Sequence, residues 1–104
     1  MKAVHIRLIQ KNLKSEGFRP GPVDGVLGSR TYSAVEKSIN RRAAGLPDGW
    51  KKWSPRRKTI SYLQLMCKDR GIEVGAIDGF WGPQTEYAAG VLDYFINNDA
   101  MPRP

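Results

Sequence analysis

Two stretches of this 104-residue chain share one pattern: VDGVLGSRT at residues 23–31 and IDGFWGPQT at residues 77–85. Each has Asp-Gly after an aliphatic residue, a second glycine three positions later and a threonine at the end. Asp-Gly predicts a tight turn, because the aspartate side chain bonds nearby backbone amides and glycine tolerates positive φ. We therefore assign a structural turn role to Asp24, Gly25, Gly28, Asp78, Gly79 and Gly82.

The similarity extends beyond the turns at a constant offset of 54 residues. Between residues 6–35 and 60–89, ten of 30 positions are identical without a gap, and half of these are turn glycines or the turn aspartate. Such internal similarity predicts one structural unit present twice. We expect a first unit at residues 1–45, a Trp-containing basic connector at 46–57, a second unit at 58–98 and a linker stub at 99–104.

Apolar periodicity predicts that each unit begins with a helix. Ile6, Ile9 and Leu13 follow the spacing of one helix face, and the same register of apolar residues recurs 54 positions later. Gly17 and Gly71 are expected to end these two helices, because glycine adopts the left-handed C-terminal conformation without steric cost.

Capping signals predict the remaining helix ends. Ser54-Pro55 combines an N-cap with a proline at the first helical position, so a helix should run from about Pro55 to Arg70. The downstream helices should begin near Ser29 and Pro83 and stop near Gly45 and Asn97-Asn98. The predicted fold class is all-α, with two homologous small helical units in tandem.

The charge of the chain favours an anionic partner. The net charge is +7. Residues 1–58 contain fourteen basic and four acidic side chains, whereas residues 59–104 contain three and six. The basic character therefore belongs to the first half of the chain. We expect no membrane span and no export signal, because residues 1–16 contain no unbroken apolar run.

Catalytic and metal chemistry is not supported by the residue pattern. Cys67 lies opposite Leu13 in the repeat and is predicted to be in the core, while His5 is predicted to be an exposed or partly covered helix residue. Asp24 and Asp78 are explained by their turns rather than by a glycosidase pair. We expect no catalytic constellation, no metal and no cofactor.

The ordered string in each unit resembles the peptidoglycan-binding domain family of the small three-helix type. The residues that carry the resemblance are Ile9-Gln10, Gly17-Phe18, residues 23–28, Thr31 and Ala34-Val35, and then Leu63-Gln64, Gly71-Ile72, residues 77–83, Thr85 and Ala88. The resemblance covers roughly residues 4–45 and 58–96. It implies a non-catalytic helical module that holds a lytic enzyme on the bacterial cell wall.

The tandem arrangement is similar to the N-terminal region of some phage endolysins. That similarity implies a catalytic domain fused C-terminally, after a Pro-containing linker such as Met101-Pro102-Arg103-Pro104. It also implies a protein that stays in the host cytoplasm until lysis and then reaches the periplasm and the cell wall.

A peptidoglycan reader needs side chains that suit both parts of the polymer. Glycan strands present hydroxyl and acetamido groups, and stem peptides present carboxylates. The ligand-binding candidates therefore lie where the second helix of each unit begins, and they are Arg30, Thr31, Tyr32, Gln84, Thr85 and Tyr87. Phe80-Trp81 favours the second unit as the better binder, although the aliphatic residues at 26–27 place at least one of this pair in the core.

Two other functions remain open at this level. Residues 41–58 contain seven basic side chains interleaved with Trp50 and Trp53, a pattern that also suits a nucleic-acid-binding module. A protein-protein interaction module would use Tyr32, Trp50 and Trp53 as anchors. Peptidoglycan binding is favoured because it also explains the repeat.

Overall fold

The computed structural model describes residues 1–42 and 45–98, most of which lie in four α-helices. These are α1 (Ala3–Ser15), α2 (Ser29–Arg41), α3 (Pro55–Asp69) and α4 (Pro83–Asn97), with a short 3-10 helix at Trp50–Lys52 in the connector. The described residues contain no strand, so the predicted all-α fold class is confirmed. Residues 43–44 of the first unit and the expected linker stub at 99–104 lie outside the described residues.

Glycine ends α1 and α3 in the predicted way. Gly17 has a φ of 91°, and its N–H donates to the Lys14 carbonyl at 3.1 Å. The next amide, that of Phe18, reaches back to the Leu13 carbonyl at 3.0 Å. The same two bonds close α3 around Gly71, whose φ is 73°. Both helices therefore stop with their last carbonyls satisfied, which turns the chain into the loop that leads to Asp-Gly.

The other helix boundaries follow the capping signals with one exception. The Ser54 hydroxyl accepts the Arg57 N–H at 3.2 Å, and Pro55 occupies the first turn of α3. The predicted stop of α2 near Gly45 was wrong, since the helix ends at Arg41. Arg42 leaves the helical conformation at φ −116° and ψ 22°, and its guanidinium pairs with Asp69 at 2.5 Å.

Helix α3 lies at the centre of the molecule. Residues 58–67 are all buried, so α3 is covered on every side rather than along one stripe. Two of its buried hydroxyls bond to carbonyls of the same helix, Thr59 to Pro55 at 2.8 Å and Ser61 to Lys58 at 2.6 Å. This local satisfaction lets polar residues lie inside the core without a partner from another element.

Side chains of the two units meet around Tyr62. Its ring is fully buried, and its hydroxyl accepts the Asn12 amide at 2.9 Å and donates to the Glu16 carboxylate. Burial, together with Glu16, raises the pKa of Tyr62. Arg70 also donates to Asn12, at 3.0 Å. One apolar core contains residues from both units, so α1 and α3 are fixed to each other.

The connector belongs to this core. Trp50 is only 5% exposed and packs among residues of both units, while Trp53 is partly buried against the same cluster. The Lys58 ammonium lies 5.7 Å from the Trp50 ring centre and bonds to Glu36 at 2.7 Å. The alternative of a protein-protein interaction module names Trp50 as an anchor, but its ring already fills the interior and is not available to a partner.

His5 is buried, contrary to expectation. Its side chain is 6% exposed, Nδ1 accepts the Lys2 N–H at 2.9 Å, and the ring lies 4.9 Å from the Trp81 ring centre. The prediction failed because Trp81 comes from the second unit, and the repeat pattern within one unit does not show which residues the other unit covers. His5 and Trp81 thus form a contact between α1 and the second unit.

Stability should depend on pH through His5. Burial lowers the pKa of His5 below its ordinary value of 6.5; Glu86 and Asp93 oppose the shift, while the N-terminus and Lys2 reinforce it. Below pH 6.5 the unfolded chain binds the proton more readily, so the free energy of unfolding should fall as the pH drops through that value. His5→Phe keeps a ring beside Trp81 and cannot titrate. As the pH is lowered from 7.5 to 5, the urea midpoint of the wild type should fall more steeply than that of His5→Phe. Parallel pH profiles for the two proteins would show that His5 does not cause the pH dependence.

Gly79 should be intolerant of any side chain. A Cβ there would overlap Arg57 Cγ and lie 2.6 Å from the Arg57 carbonyl oxygen, at a φ of 75°. Backbone strain and overlap together should cost Gly79→Ala at least about 2 kcal/mol in the free energy of unfolding.

Gly90 provides the control, because it lies within α4 with open space around it. Gly90→Ala should therefore stabilise the protein by about 0.5–1 kcal/mol. Urea titration of both variants measures whether the free energy of unfolding falls for Gly79→Ala and rises for Gly90→Ala. Equal changes in the two variants would refute the close packing at Gly79.

Candidate functional site

A buried glutamine organises the turn in the first unit. Gln10 is 1% exposed, and its Oε1 accepts the N–H groups of Gly25 at 3.0 Å and Asp24 at 3.1 Å. Its Nε2 lies within hydrogen-bond distance of the Val26 carbonyl at 3.0 Å, Thr31 Oγ1 at 3.1 Å and Asp24 Oδ1 at 3.2 Å. One amide from α1 thereby holds both the turn and the first residues of α2.

The second unit repeats this arrangement 54 residues later. Gln64 is also 1% exposed, and its Oε1 accepts the Gly79 N–H at 2.9 Å. Its Nε2 approaches the Phe80 carbonyl at 3.1 Å, Thr85 Oγ1 at 3.1 Å and Asp78 Oδ1 at 3.2 Å. The start of α4 is therefore placed on α3 as the start of α2 is placed on α1.

The aspartates in these turns bond to the backbone. Asp24 Oδ1 accepts the Val26 N–H at 3.0 Å, and this bond together with Gln10 lowers the pKa of Asp24. Asp78 Oδ1 makes the equivalent bond to the Phe80 N–H, also at 3.0 Å. Since each carboxylate serves its own turn, neither is placed as a free general acid or base.

The glycines of each turn differ in what they contribute. Gly25 and Gly79 have φ values of 78° and 75°, which side chains disfavour. Gly28 and Gly82 are instead extended N-caps of α2 and α4, with φ values of −127° and −118°, and a Cβ would meet nothing within 4 Å. The turn geometry therefore requires the first glycine of each motif, and it does not impose the second.

Thr31 and Thr85 lie inside the fold. They are 2% and 4% exposed, and both hydroxyls accept a bond from a buried glutamine. The Thr31 hydroxyl also donates to the Pro20 carbonyl at 2.9 Å. These two candidates thus support the local structure, and their hydroxyls are not free to reach a ligand at the surface.

Two clefts flank the start of α2. The larger, of about 560 Å³, is lined by Gly17, Phe18, Arg19, Ser29, Arg30, Ser33, Ala34 and Lys37. The smaller, of about 240 Å³, is lined by Gln10, Pro20, Pro22, Asp24, Val26, Gly28, Ser29, Arg30 and Thr31. Ser29 and Arg30 line both clefts, so Arg30 is the sequence-predicted candidate that the structure places best.

The larger cleft is strongly basic. Arg19, Arg30 and Lys37 are exposed around it, Ser29 and Ser33 add hydroxyl groups, and no carboxylate belongs to its lining residues. An open basic cleft with hydroxyl donors is suited to an anionic or hydrogen-bonding ligand. Arg19, Ser33 and Lys37 are not among the sequence-predicted candidates. A signal for Ser33 and Lys37 is nonetheless present, because positions 29, 33 and 37 recur every four residues along the exposed face of α2.

The remaining candidates are not gathered into either cleft. Tyr32 is half-buried, and Tyr87 is 67% exposed on α4. Gln84 extends over Gly75, where a Cβ would lie 2.6 Å from its Oε1. The structure therefore separates the three candidates of the second unit from the two clefts of the first.

The aromatic pair of the second unit is divided between surface and core. Phe80 is 60% exposed, with the Arg57 guanidinium 4.1 Å from its ring centre and 4.0 Å from that of Trp53. Trp81 packs against the core and donates its indole N–H to Glu86 at 2.6 Å. Trp81 is therefore the core member of the pair, and its ring is already committed to contacts inside the protein.

Elsewhere in the described residues there is little that suits covalent chemistry. Cys67 is fully buried, and burial raises the pKa of its thiol to about 12, so the nucleophilic thiolate is disfavoured. Across residues 1–42 and 45–98, no three His, Cys, Asp or Glu side chains are grouped to hold a metal ion. None of the helices described is long and apolar enough to cross a membrane.

Removing the buried amide of the first unit should disrupt the site. Gln10→Met keeps the side-chain length but leaves the buried Gly25 N–H without its acceptor and takes away a partner of the Thr31 hydroxyl. We expect a loss of about 3 kcal/mol in the free energy of unfolding, measured by urea titration. The neighbouring Lys11 is exposed, so Lys11→Met should change stability by less than about 0.5 kcal/mol. Similar losses in the two variants would show that the amide does not hold the turn.

Comparison with known proteins gives a match for one part of the chain. The family model described as "Putative peptidoglycan binding domain" matches residues 3–37, which include α1, the Asp-Gly turn and most of α2. No curated protein and no solved structure matches the chain. The matched stretch contains all the residues that line the two clefts beside α2. Residues 3–37 are therefore similar to this family of peptidoglycan-binding domains.

Proposed function

We propose that this chain binds peptidoglycan without covalent chemistry, through the surface of the first unit beside the start of α2. The observation that carries the proposal is the position of the two clefts, since all their lining residues fall within the stretch that matches the family. Arg30 projects between them and is the central contact. Exposed hydroxyl and cationic side chains next to it suit a polymer of sugars and short acidic peptides.

The second unit is proposed to be a homologue of the first that serves as its support. Ten sequence identities at one offset and the matching Gln10 and Gln64 hydrogen bonds favour a common origin. In this arrangement α3 supplies the packing surface for α2, which a unit of about 45 residues would lack on its own. Binding would then depend on both units even if only the first contacts the wall.

The biological role we propose is to hold a lytic domain on its substrate. A module without a reaction of its own raises the local concentration of a fused enzyme at the polymer, so that modest affinity is sufficient. A catalytic domain after residue 104, as in a phage endolysin, fits this role. Release from the host cytoplasm at lysis would then bring the protein to the wall.

Nucleic-acid binding receives less support from the same contacts. Within residues 41–58, Trp50 is buried, and Lys58 and Arg42 are paired with Glu36 and Asp69. Stacking on bases requires exposed rings between free cations. Burial removes the Trp50 ring from the surface, and the two ion pairs partly neutralise the cations of this stretch. DNA competition therefore belongs in the functional test.

Retention on purified cell wall tests the proposal. The full chain is mixed with insoluble peptidoglycan sacculi free of nucleic acid, at low and at high salt, and the bound fraction is measured after centrifugation. We expect most of the protein to remain bound at about 0.15 M salt and to stay bound when excess double-stranded DNA is added. A basic protein of similar charge serves as the control for adsorption. Protein that stays in the supernatant, or that DNA removes completely, would rule the proposal out.

A further inference from the structure

The larger cleft differs sharply from the equivalent surface of the second unit. The fold places the same backbone positions there, because the helices and turns recur at an offset of 54 residues. The residues at these positions do not correspond in charge: Arg19 is replaced by Glu73, Arg30 by Gln84 and Lys37 by Val91. Three cations around the cleft of the first unit thus become one acid and two neutral residues in the second.

This contrast separates what the fold needs from what the cleft adds. The glutamine, the turn aspartate, the turn glycines and the threonine are common to both units and are engaged in the internal hydrogen bonds. The three cations are not needed for these hydrogen bonds, because the second unit forms them with Glu73, Gln84 and Val91 at the corresponding positions. The aliphatic stem of Arg30 lies over Gly21, where its Cδ would be 3.2 Å from a Cβ placed on the glycine.

The lining chemistry identifies the part of the polymer that the cleft fits. The sugars of the glycan strand are uncharged, and an aromatic face is the usual surface for them, but the cleft contributes only Phe18, which is half-buried and has the Arg41 guanidinium 5.0 Å from its ring centre. Stem peptides carry carboxylates, for which a guanidinium provides paired donors and an ammonium a point charge. Three cations without a carboxylate among the lining residues therefore favour the peptide over the sugar.

We propose that the cleft formed by Arg19, Ser29, Arg30, Ser33 and Lys37 recognises carboxylates of peptidoglycan stem peptides, and that only the first unit does so. This inference rests on the proposed function and specifies its ligand. Arg30 is the central carboxylate contact, with Lys37 and Arg19 on the same cleft and the two serine hydroxyls as additional donors. The corresponding surface of the second unit, with Glu73, would repel the same group.

The test exchanges cleft residues for those that the second unit carries at the same positions. The double variant Arg30→Gln with Lys37→Val replaces two cations with the residues that the second unit carries at positions 84 and 91. The matched control, Lys51→Gln with Arg56→Gln, removes the same charge from exposed residues outside the cleft. Both variants are first compared with the wild type by circular dichroism and urea titration, so that any loss of folding is seen directly.

Each protein is then titrated against two preparations of sacculi without phosphate-bearing polymers, at about 0.15 M salt, where distant charges are screened. One is intact, and in the other the carboxylates have been converted to amides with carbodiimide and ammonium. Glycan and peptide are otherwise unchanged. We expect amidation to weaken wild-type and control binding at least about tenfold, which is the size of a charge-assisted contact. The cleft variant should bind intact sacculi about as weakly as the wild type binds amidated ones, with little further loss on amidation.

The possible outcomes separate the two proposals. Equal wild-type binding to intact and amidated sacculi would overturn carboxylate recognition and leave peptidoglycan binding in place. A control variant as insensitive to amidation as the cleft variant would show that general charge, not this cleft, is responsible. A wild type that fails to bind intact sacculi would overturn the proposed function itself.

Discussion

The structure depends on the burial of one glutamine amide in each unit. A primary amide enclosed in an apolar core loses its hydration and is stable there only if its oxygen and both its hydrogens find partners. The backbone of the Asp-Gly turn supplies most of them, and the threonine of the next helix supplies another. Because Gln10 is fixed in α1, the turn and α2 can occupy only one position relative to it. The location of Arg30 and both clefts follows from this constraint.

The same constraint acts on the second unit with a different result. There Gln64 lies in α3, which is buried along its middle by α2, α4 and Trp50 of the connector. The first unit contributes Glu36 to Lys58, and Asn12 and Glu16 to the Tyr62 hydroxyl. Each unit therefore completes the core of the other. The exposed face of α2 is left free for a ligand because its opposite face is packed on α3.

The sequence predicts structure correctly where that structure is determined locally. Glycine at the C-terminal cap, Ser54-Pro55 at the start of α3 and Asp-Gly at the turn depend on a few neighbouring residues, and all lie where the pattern placed them. It failed where burial comes from the other unit. His5 resembles a surface residue in helical periodicity, yet Trp81 of the second unit covers it.

The candidate site was predictable only in part for the same reason. Arg30 is predictable because it follows the turn, which is a local argument, and it lines both clefts. Thr31 follows the turn as well, but its hydroxyl bonds to Gln10 and Pro20. Arg19 precedes the turn, and only the folded chain brings that loop beside α2. Long-range contacts of this kind leave no periodic signal in a single sequence.

The two units together show how one backbone can have two surface chemistries. Residues that satisfy the buried amide are shared, so they cannot account for any difference between the units in what they bind. The exposed positions on the outer face of the second helix differ in charge between the units: they include basic residues in the first unit and only neutral or acidic ones in the second. Since a side chain exposed on a helix affects stability little, these positions can change without loss of the fold. Specificity in this protein is therefore expected to reside in residues that the fold does not require.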